Sequence, residues 1–289
     1  MHWSDFNTRV PGKWVLAGEH SVLRGATAIA LPHPQLGLTL RFKTIQGENR
    51  FSVEPPDAGV LMEELLNSVA DAWQAQGRSF MKPTGQLEID STIPIGAGLG
   101  SSAALCVALT EWMADPLSIP PSQKLEFATH LEHRFHGRSS GMDVAVIALK
   151  EPISFVMGRE IRSVGISKLP KFTFHDTGLR TRTSECVLRV EKFREEVPAV
   201  ALRVDESMGT ASRVAMEGLI RYDSGETQEG LSLIQQGMKQ ARECFYSWQL
   251  VPGQAKRMEE DLLKQGALAV KMTGAGGGGM LVALWPDHP

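Results

Sequence analysis

Glycines at positions 96, 98 and 100, followed at once by Ser101 and Ser102, are the residue types a chain uses to wrap an anion. In the stretch PIGAGLGSSAAL, Pro94 to Leu105, residues without a Cβ let the backbone approach a ligand closely. A helix opening near Ser101 would aim N–H groups and the positive end of its dipole into the turn. The two serine hydroxyls can bond phosphate oxygens or ligate Mg²⁺. No lysine follows, so this is not the G-x-x-x-x-G-K-[ST] loop, and a cation, a metal ligand and a base must come from elsewhere. The competing reading is a tight glycine turn feeding a core helix, with Ser101 as its N-cap.

Three further stretches carry residues with chemical potential. KMTGAGGGGMLVAL, Lys271 to Leu284, holds Gly274 and four consecutive glycines from Gly276 to Gly279. Each glycine costs about 0.5–1 kcal/mol of conformational freedom relative to alanine, and a plain hairpin needs only one or two. Close packing against a ligand or a neighbouring loop accounts for the run. PGKWVLAGEHSVLRG, Pro11 to Gly25, places Lys13, Glu19 and His20 near one strand end, where a solvated polar turn is the alternative. HLEHRFHGRSSGMDVAV, His130 to Val146, has three histidines spread over a broad helical face without an H-E-x-x-H pattern, which argues against zinc. In the same stretch Glu132, late on a helix, and Asp143, after a small-residue turn, are candidates for metal ligand and base.

The elements that must position these groups are legible from periodicity. Val10–Ala17 reads as a strand turning at Gly18. Ala26–Leu31 is an apolar segment closed by Pro32 and Pro34, and Leu36–Phe42 alternates as a second strand. Met62–Gln76 has helical apolar spacing, Gly85–Asp90 is strand-like, and Ser101–Ala114 is a nearly all-apolar helix. Ser122 can cap a helix to about Phe135, and Pro152–Met157 and Lys171–Asp176 are strand-like. Helices follow over Thr183–Glu195, Ala199–Tyr222, Thr227–Trp248 and Gln254–Gln265. The chain then reads strand, glycine loop, strand, over Ala267–Met272 and Met280–Trp285. This order lacks steady βαβ alternation and predicts an α+β fold in two lobes, with a boundary between about residues 155 and 180.

Composition sets the class. The chain has 289 residues, 42% hydrophobic and 22% charged, with a formal net charge of −3. That balance gives no support to nucleic acid or an anionic membrane as the main partner. Cys106, Cys186 and Cys244 are dispersed and form no C-x-x-C pair, so buried, inert thiols are expected rather than disulfides or a cysteine metal site. The N-terminal stretch reads as neither a signal peptide nor a basic presequence, and no apolar run is long enough to span a bilayer. A soluble cytoplasmic protein is the expectation.

PGKWVLAGEHSVLRGATAIALP, PIGAGLGSSAAL and KMTGAGGGGMLVAL, in this order, resemble the three motifs of the GHMP kinases. That superfamily includes galactokinase, homoserine kinase, mevalonate kinase and phosphomevalonate kinase, which phosphorylate small molecules. The resemblance spans nearly the whole chain and is most similar to the mevalonate kinase branch. GEHSVL replaces the GEHTDY-like galactokinase continuation, and Asp176–Val190 resembles the stretch that follows the central strand in that branch. The resemblance implies a two-lobed GHMP kinase fold: a ribosomal-protein-S5-like N-terminal lobe over residues 1–160 and a ferredoxin-like C-terminal lobe over 161–289. It implies ATP as phosphoryl donor, held by Pro94, Gly96, Ala97, Gly98, Leu99, Gly100, Ser101, Ser102 and Ala103. It implies Mg²⁺ on Ser102 and Glu132, Asp143 as acceptor of the substrate proton, and Lys13 beside it. Glu19, His20, Asp143, Thr183, Gly276 and Gly277 fall on the substrate side. ATP and mevalonate are the implied partners, with a homodimer among the assembly states of the family.

These roles agree with elementary chemistry. Phosphoryl transfer asks for positioning and charge neutralisation rather than covalent help. An aspartate, with a reference pKa of about 3.9, takes the hydroxyl proton only late, as the oxygen bonds phosphorus. A lysine beside it stabilises the developing oxyanion. Three departures from the branch pattern bear on substrate choice: Arg138 and Ser139 in His136–Gly141, Met280 where a cysteine is common, and Gly178 after Thr177. Arg138 is placed to pair with a substrate carboxylate or phosphate, or to lie on the surface.

Overall fold

The computed structural model describes residues 2–45, 50–136, 140–159 and 161–287. In chain order the elements are β1 (Phe6–Ala17), β2 (Ala28–Thr44), β3 (Phe51–Glu54), α1 (Gly59–Ala75), β4 (Gly85–Ser91), α2 (Ser101–Ala114), α3 (Pro121–His136) and α4 (Met142–Leu149). They continue with β5 (Ile153–Phe155), β6 (Arg162–Ser163), β7 (Phe172–Asp176), α5 (Thr183–Glu196), α6 (Pro198–Asp223), α7 (Thr227–Ser247), α8 (Gly253–Lys264), β8 (Ala269–Thr273) and β9 (Met280–Leu284). The chain divides into two compact units. The first is Met1–Gly12, Pro34–Ile93 and Ser101–Ala148, and the second is Lys13–His33, Pro94–Gly100 and Leu149–Pro289.

In the first unit, β2 pairs antiparallel with β4 from Leu38 opposite Ser91 to Thr44 opposite Gly85. β3 lies parallel to β4. Trp3, Phe42 and Trp112 form an aromatic cluster, with Trp3 and Trp112 centroids 4.7 Å apart. Helix α1 buries Met62, Leu65, Leu66, Val69 and Trp73, the stripe its spacing predicts. Helix α2 is buried almost all round, as its uniform apolarity requires, and packs on α3.

In the second unit, Ala28–Ala30 of β2 pair antiparallel with β5, which pairs with β6. A separate antiparallel sheet has the order β7-β9-β8, with Asp176 and Thr273 both opposite Met280. Val270, Met272, Leu281 and Ala283 join Cys186, Met208, Ala241, Phe245, Trp248 and Leu262 in one core. The three cysteines are free and buried. Burial pushes the Cys244 thiol up to about 11, which fits the inert role expected of it.

The structure adds β3 and β6, which were not expected, and differs from the expected elements in three further places. Ala28–Thr44 is one strand, not two segments broken by Pro32 and Pro34. Those prolines fall between the residues paired with β5 and those paired with β4, so they interrupt neither of those two ladders; β2 also pairs with β1. Ser122 lies inside α3, which begins at Pro121, so it is not the N-cap. Asp143 sits in the first turn of α4, whose run MDVAVIAL is too uniformly apolar to show a helical period.

Candidate active site

In the second unit the three motifs meet at the glycine loops. The backbone N–H of Lys13 donates to the Leu99 carbonyl at 3.0 Å, tying the β1 strand to loop 94–100. Lys13 is itself buried. Gly98 takes φ of 80°, a region side-chain-bearing residues avoid, and a Cβ there would stand 3.2 Å from the Thr273 carbonyl oxygen. At Gly279 a Cβ would approach the Ala97 carbonyl oxygen to 2.6 Å. A neighbouring loop, one of the two causes proposed for the glycine run, is present.

Gly276 and Gly277 obey the same logic. A Cβ on Gly276 would meet Leu250 at 2.9 Å, and one on Gly277 would meet Cys186 Sγ and Thr181 at 3.0 Å. The Gly277 N–H donates to the Leu250 carbonyl at 2.7 Å, and its own carbonyl accepts from Thr181 Oγ1 at 2.6 Å. The need for glycine at these two positions is therefore explained by protein packing. Met280 begins β9 opposite Thr273 and is buried.

Glu19 and His20 are buried rather than solvated. Lys271 Nζ donates to Glu19 Oε1 at 2.5 Å and to the Val15 carbonyl at 3.3 Å. Burial pushes the Glu19 carboxyl up and the Lys271 ammonium down, each opposed by the other's charge; Lys13 adds a smaller pull on Glu19. Glu19 Oε2 is buried with no hydrogen-bond partner among the described residues. His20 has φ of 58° and donates from Nε2 to the Ala275 carbonyl at 2.9 Å, which leaves Nδ1 as the acceptor of the neutral ring. Burial lowers its pKa to about 4. On the following turn, Asp205 accepts from Ser21 Oγ at 2.7 Å and takes both Arg24 Nε and Nη2.

Lys271 and Thr273 were not singled out by sequence. Thr273 Oγ1 accepts from the Val15 N–H at 2.8 Å, so β8 is bound to β1 through side chains. The available signal was the K-x-T-G start of the third motif, a cation and a hydroxyl entering a glycine loop. Thr183 opens α5 and is exposed.

In the first unit, Ser101 and Ser102 are half-buried in the opening turn of α2, where the first N–H groups of a helix have no partner within it. Ala103 is buried. Glu132 is 2% exposed. Burial raises the Cys106 thiol's pKa and the Glu132 charge raises it further, which places that carboxylate near α2. Cys106 lies one turn after Ser102 on the same helix face. Asp143 is half-buried. Among the described residues no group of three or more His, Cys, Asp or Glu is clustered for a metal. Residues 137–139, including Arg138, lie outside the described residues.

Residues 63–151 match the GHMP kinases N terminal domain, and residues 215–289 match the GHMP kinases C terminal domain. The mevalonate kinase of Thermococcus sibiricus is 30% identical over 96% of this chain and 88% of its own length. The chain belongs to the GHMP kinases. Its α+β fold is theirs. Mevalonate kinase of L. major, solved with R-mevalonate, superimposes with a TM-score of 0.76 at 19% identity, covering 99% of this chain and 89% of that one. Phosphomevalonate kinase of Streptococcus pneumoniae gives 0.74 at 16% identity, covering 98% and 92%. GHMP kinases of different acceptor share this architecture, so the fold leaves the acceptor to be argued from sequence similarity and the site.

Proposed function

We propose that this GHMP kinase transfers the γ-phosphate of ATP to the 5-hydroxyl of mevalonate, giving 5-phosphomevalonate. The observation that carries the acceptor is the 30% identity to a mevalonate kinase along 96% of the chain. In this reading the backbone from Pro94 to Ala103 holds the phosphates. Asp143 accepts the hydroxyl proton as the oxygen bonds phosphorus, and Lys13 stabilises the charge that develops. Glu19, His20, Thr183, Gly276 and Gly277 lie on the acceptor side.

Ser102 and Glu132 are assigned to Mg²⁺. Their fit rests on a hydroxyl in the first turn of α2 and a buried carboxylate near that helix, an oxygen donor set suited to a hard cation. When bound, the ion supplies neutralisation of the phosphate charge. The family lobes are assigned to 1–160 and 161–289, bounds compatible with the matched family domains but simpler than the two discontinuous compact units described above. A cytoplasmic location and a homodimer complete the reading. Among the described residues no helix is long and apolar enough to cross a membrane.

The test is ADP release with mevalonate, phosphomevalonate, galactose and homoserine offered separately. Release with mevalonate alone is expected. Release only with phosphomevalonate or a sugar reassigns the acceptor, and nucleotide binding without release with any alcohol marks a metabolite sensor.

A further inference from the structure

The turn from Asp176 to Thr181, just after β7, touches both glycine loops of the second unit. The Thr177 N–H and Oγ1 both donate to the Gly279 carbonyl, at 2.9 and 2.8 Å. The Gly279 N–H returns a bond to the Leu179 carbonyl at 2.7 Å, and Thr181 Oγ1 donates to the Gly277 carbonyl. Toward the other loop one side chain reaches out. Arg180 Nε donates to the Ile95 carbonyl at 3.3 Å, and its Cδ lies 3.5 Å from where a Cβ on Gly96 would stand. The far side of the guanidinium is held by Asp176, with Nη1 to Oδ1 at 2.7 Å and Nη2 to Oδ2 at 2.6 Å. Nη1 also bonds the Leu179 carbonyl.

We propose that Arg180, braced by Asp176, is a positioning residue for the phosphate loop: it fixes Pro94–Gly96 against the turn that holds the second glycine loop. The loop needs such a fastening. Its glycines at 96, 98 and 100 carry positive φ, so its backbone has many alternative conformations to lose when it closes on an anion. Ile95 at its tip is 86% exposed, so side-chain burial does not anchor that end. A planar guanidinium can fill this role because its fork satisfies a carboxylate on one edge while Nε serves a carbonyl on another. A lysine in its place has one point charge and cannot hold both.

This inference rests on the reading that ATP phosphates bind at residues 94–103, and the experiment separates the two. ATP-analogue binding by calorimetry and steady-state kinetics would be compared for wild type, Arg180→Ala, Arg180→Lys, Asp176→Ala and the double Asp176→Ala/Arg180→Ala variant. Arg180→Ala is expected to raise the analogue Kd and the KM for ATP about fivefold or more, the loss of one charge-assisted hydrogen bond, with KM for mevalonate unchanged. Arg180→Lys should not rescue, and the double variant should be no worse than Arg180→Ala. Unchanged nucleotide constants in Arg180→Ala, or a parallel rise in both KM values together with a lowered melting temperature, overturn the positioning role. Failure of the wild-type protein to bind the nucleotide overturns the site reading instead.

Discussion

Lys271 Nζ lies 2.5 Å from Glu19 Oε1, and both side chains are buried. The pair fastens β8 to the turn after β1, two segments 252 residues apart. Removing one member leaves a charge in the interior without compensation, a loss of about 3–5 kcal/mol. Lys271→Met is therefore expected to lower the unfolding free energy in urea by about that much, and a Glu19→Gln/Lys271→Met variant to recover a large part. Equal midpoints for Lys271→Met and wild type would refute the coupling.

Asp143→Ala should remove turnover while nucleotide binding persists, because the carboxylate acts on the acceptor and not on ATP. Loss of a general base typically costs about 10²–10⁴-fold in rate. Glu132→Gln should behave differently and raise the Mg²⁺ concentration needed for half-maximal ADP release. Unaltered turnover in Asp143→Ala would remove that residue from the mechanism.

Much of the fold was legible because most helices announce themselves by period. Thr183–Glu196 and Thr227–Ser247 begin where the pattern places them, and Ser101–Ala114 agrees at both ends. Where the period fails, so does the reading: α4 is apolar at nearly every position, and prolines at 32 and 34 hide a strand that runs through both. At the site, glycine runs and carboxylates stand out by type, and the motifs led to Lys13, Glu19 and the two loops. The Glu19–Lys271 pair did not stand out, because a buried ion pair is a property of two distant residues and not of either segment. Gly276 and Gly277 show the reverse limit. A glycine demanded by a ligand and one demanded by Leu250 or Cys186 have the same letter.

Gly279 offers a direct check on the meeting of the loops. A Cβ there has a strained φ of 81° and would stand 2.6 Å from the Ala97 carbonyl oxygen, a backbone atom that cannot step aside without moving the loop. At Gly178 φ is 71° but the nearest atom is the Gln254 amide at 3.8 Å. Gly178→Ala should thus show only the left-handed penalty of about 1–2 kcal/mol. Gly279→Ala should be more destabilised and should also weaken nucleotide binding. Urea midpoints and calorimetry on both variants decide it, and equal behaviour would mean that the loops are not in close contact.

His20 sets a pH dependence whose sign follows from its burial. Its pKa is lowered from 6.5 to about 4, by burial first, while the Ala275 carbonyl, Asp205 and Glu191 pull the other way and Arg24 adds to the lowering. A depressed folded pKa means that the unfolded chain binds a proton the folded chain refuses. Stability from this group is then fully present above about 6.5 and is lost as pH falls toward 4, by roughly 3 kcal/mol in total. His33, also lowered to about 4 by burial, contributes in the same window. His20→Asn removes the titrating ring and keeps a polar side chain at this position. Unfolding free energies measured between pH 7.5 and 4 should fall less steeply in His20→Asn than in wild type, and least in His20→Asn/His33→Asn. Parallel acid limbs in all three proteins would show that neither ring is held neutral by the fold.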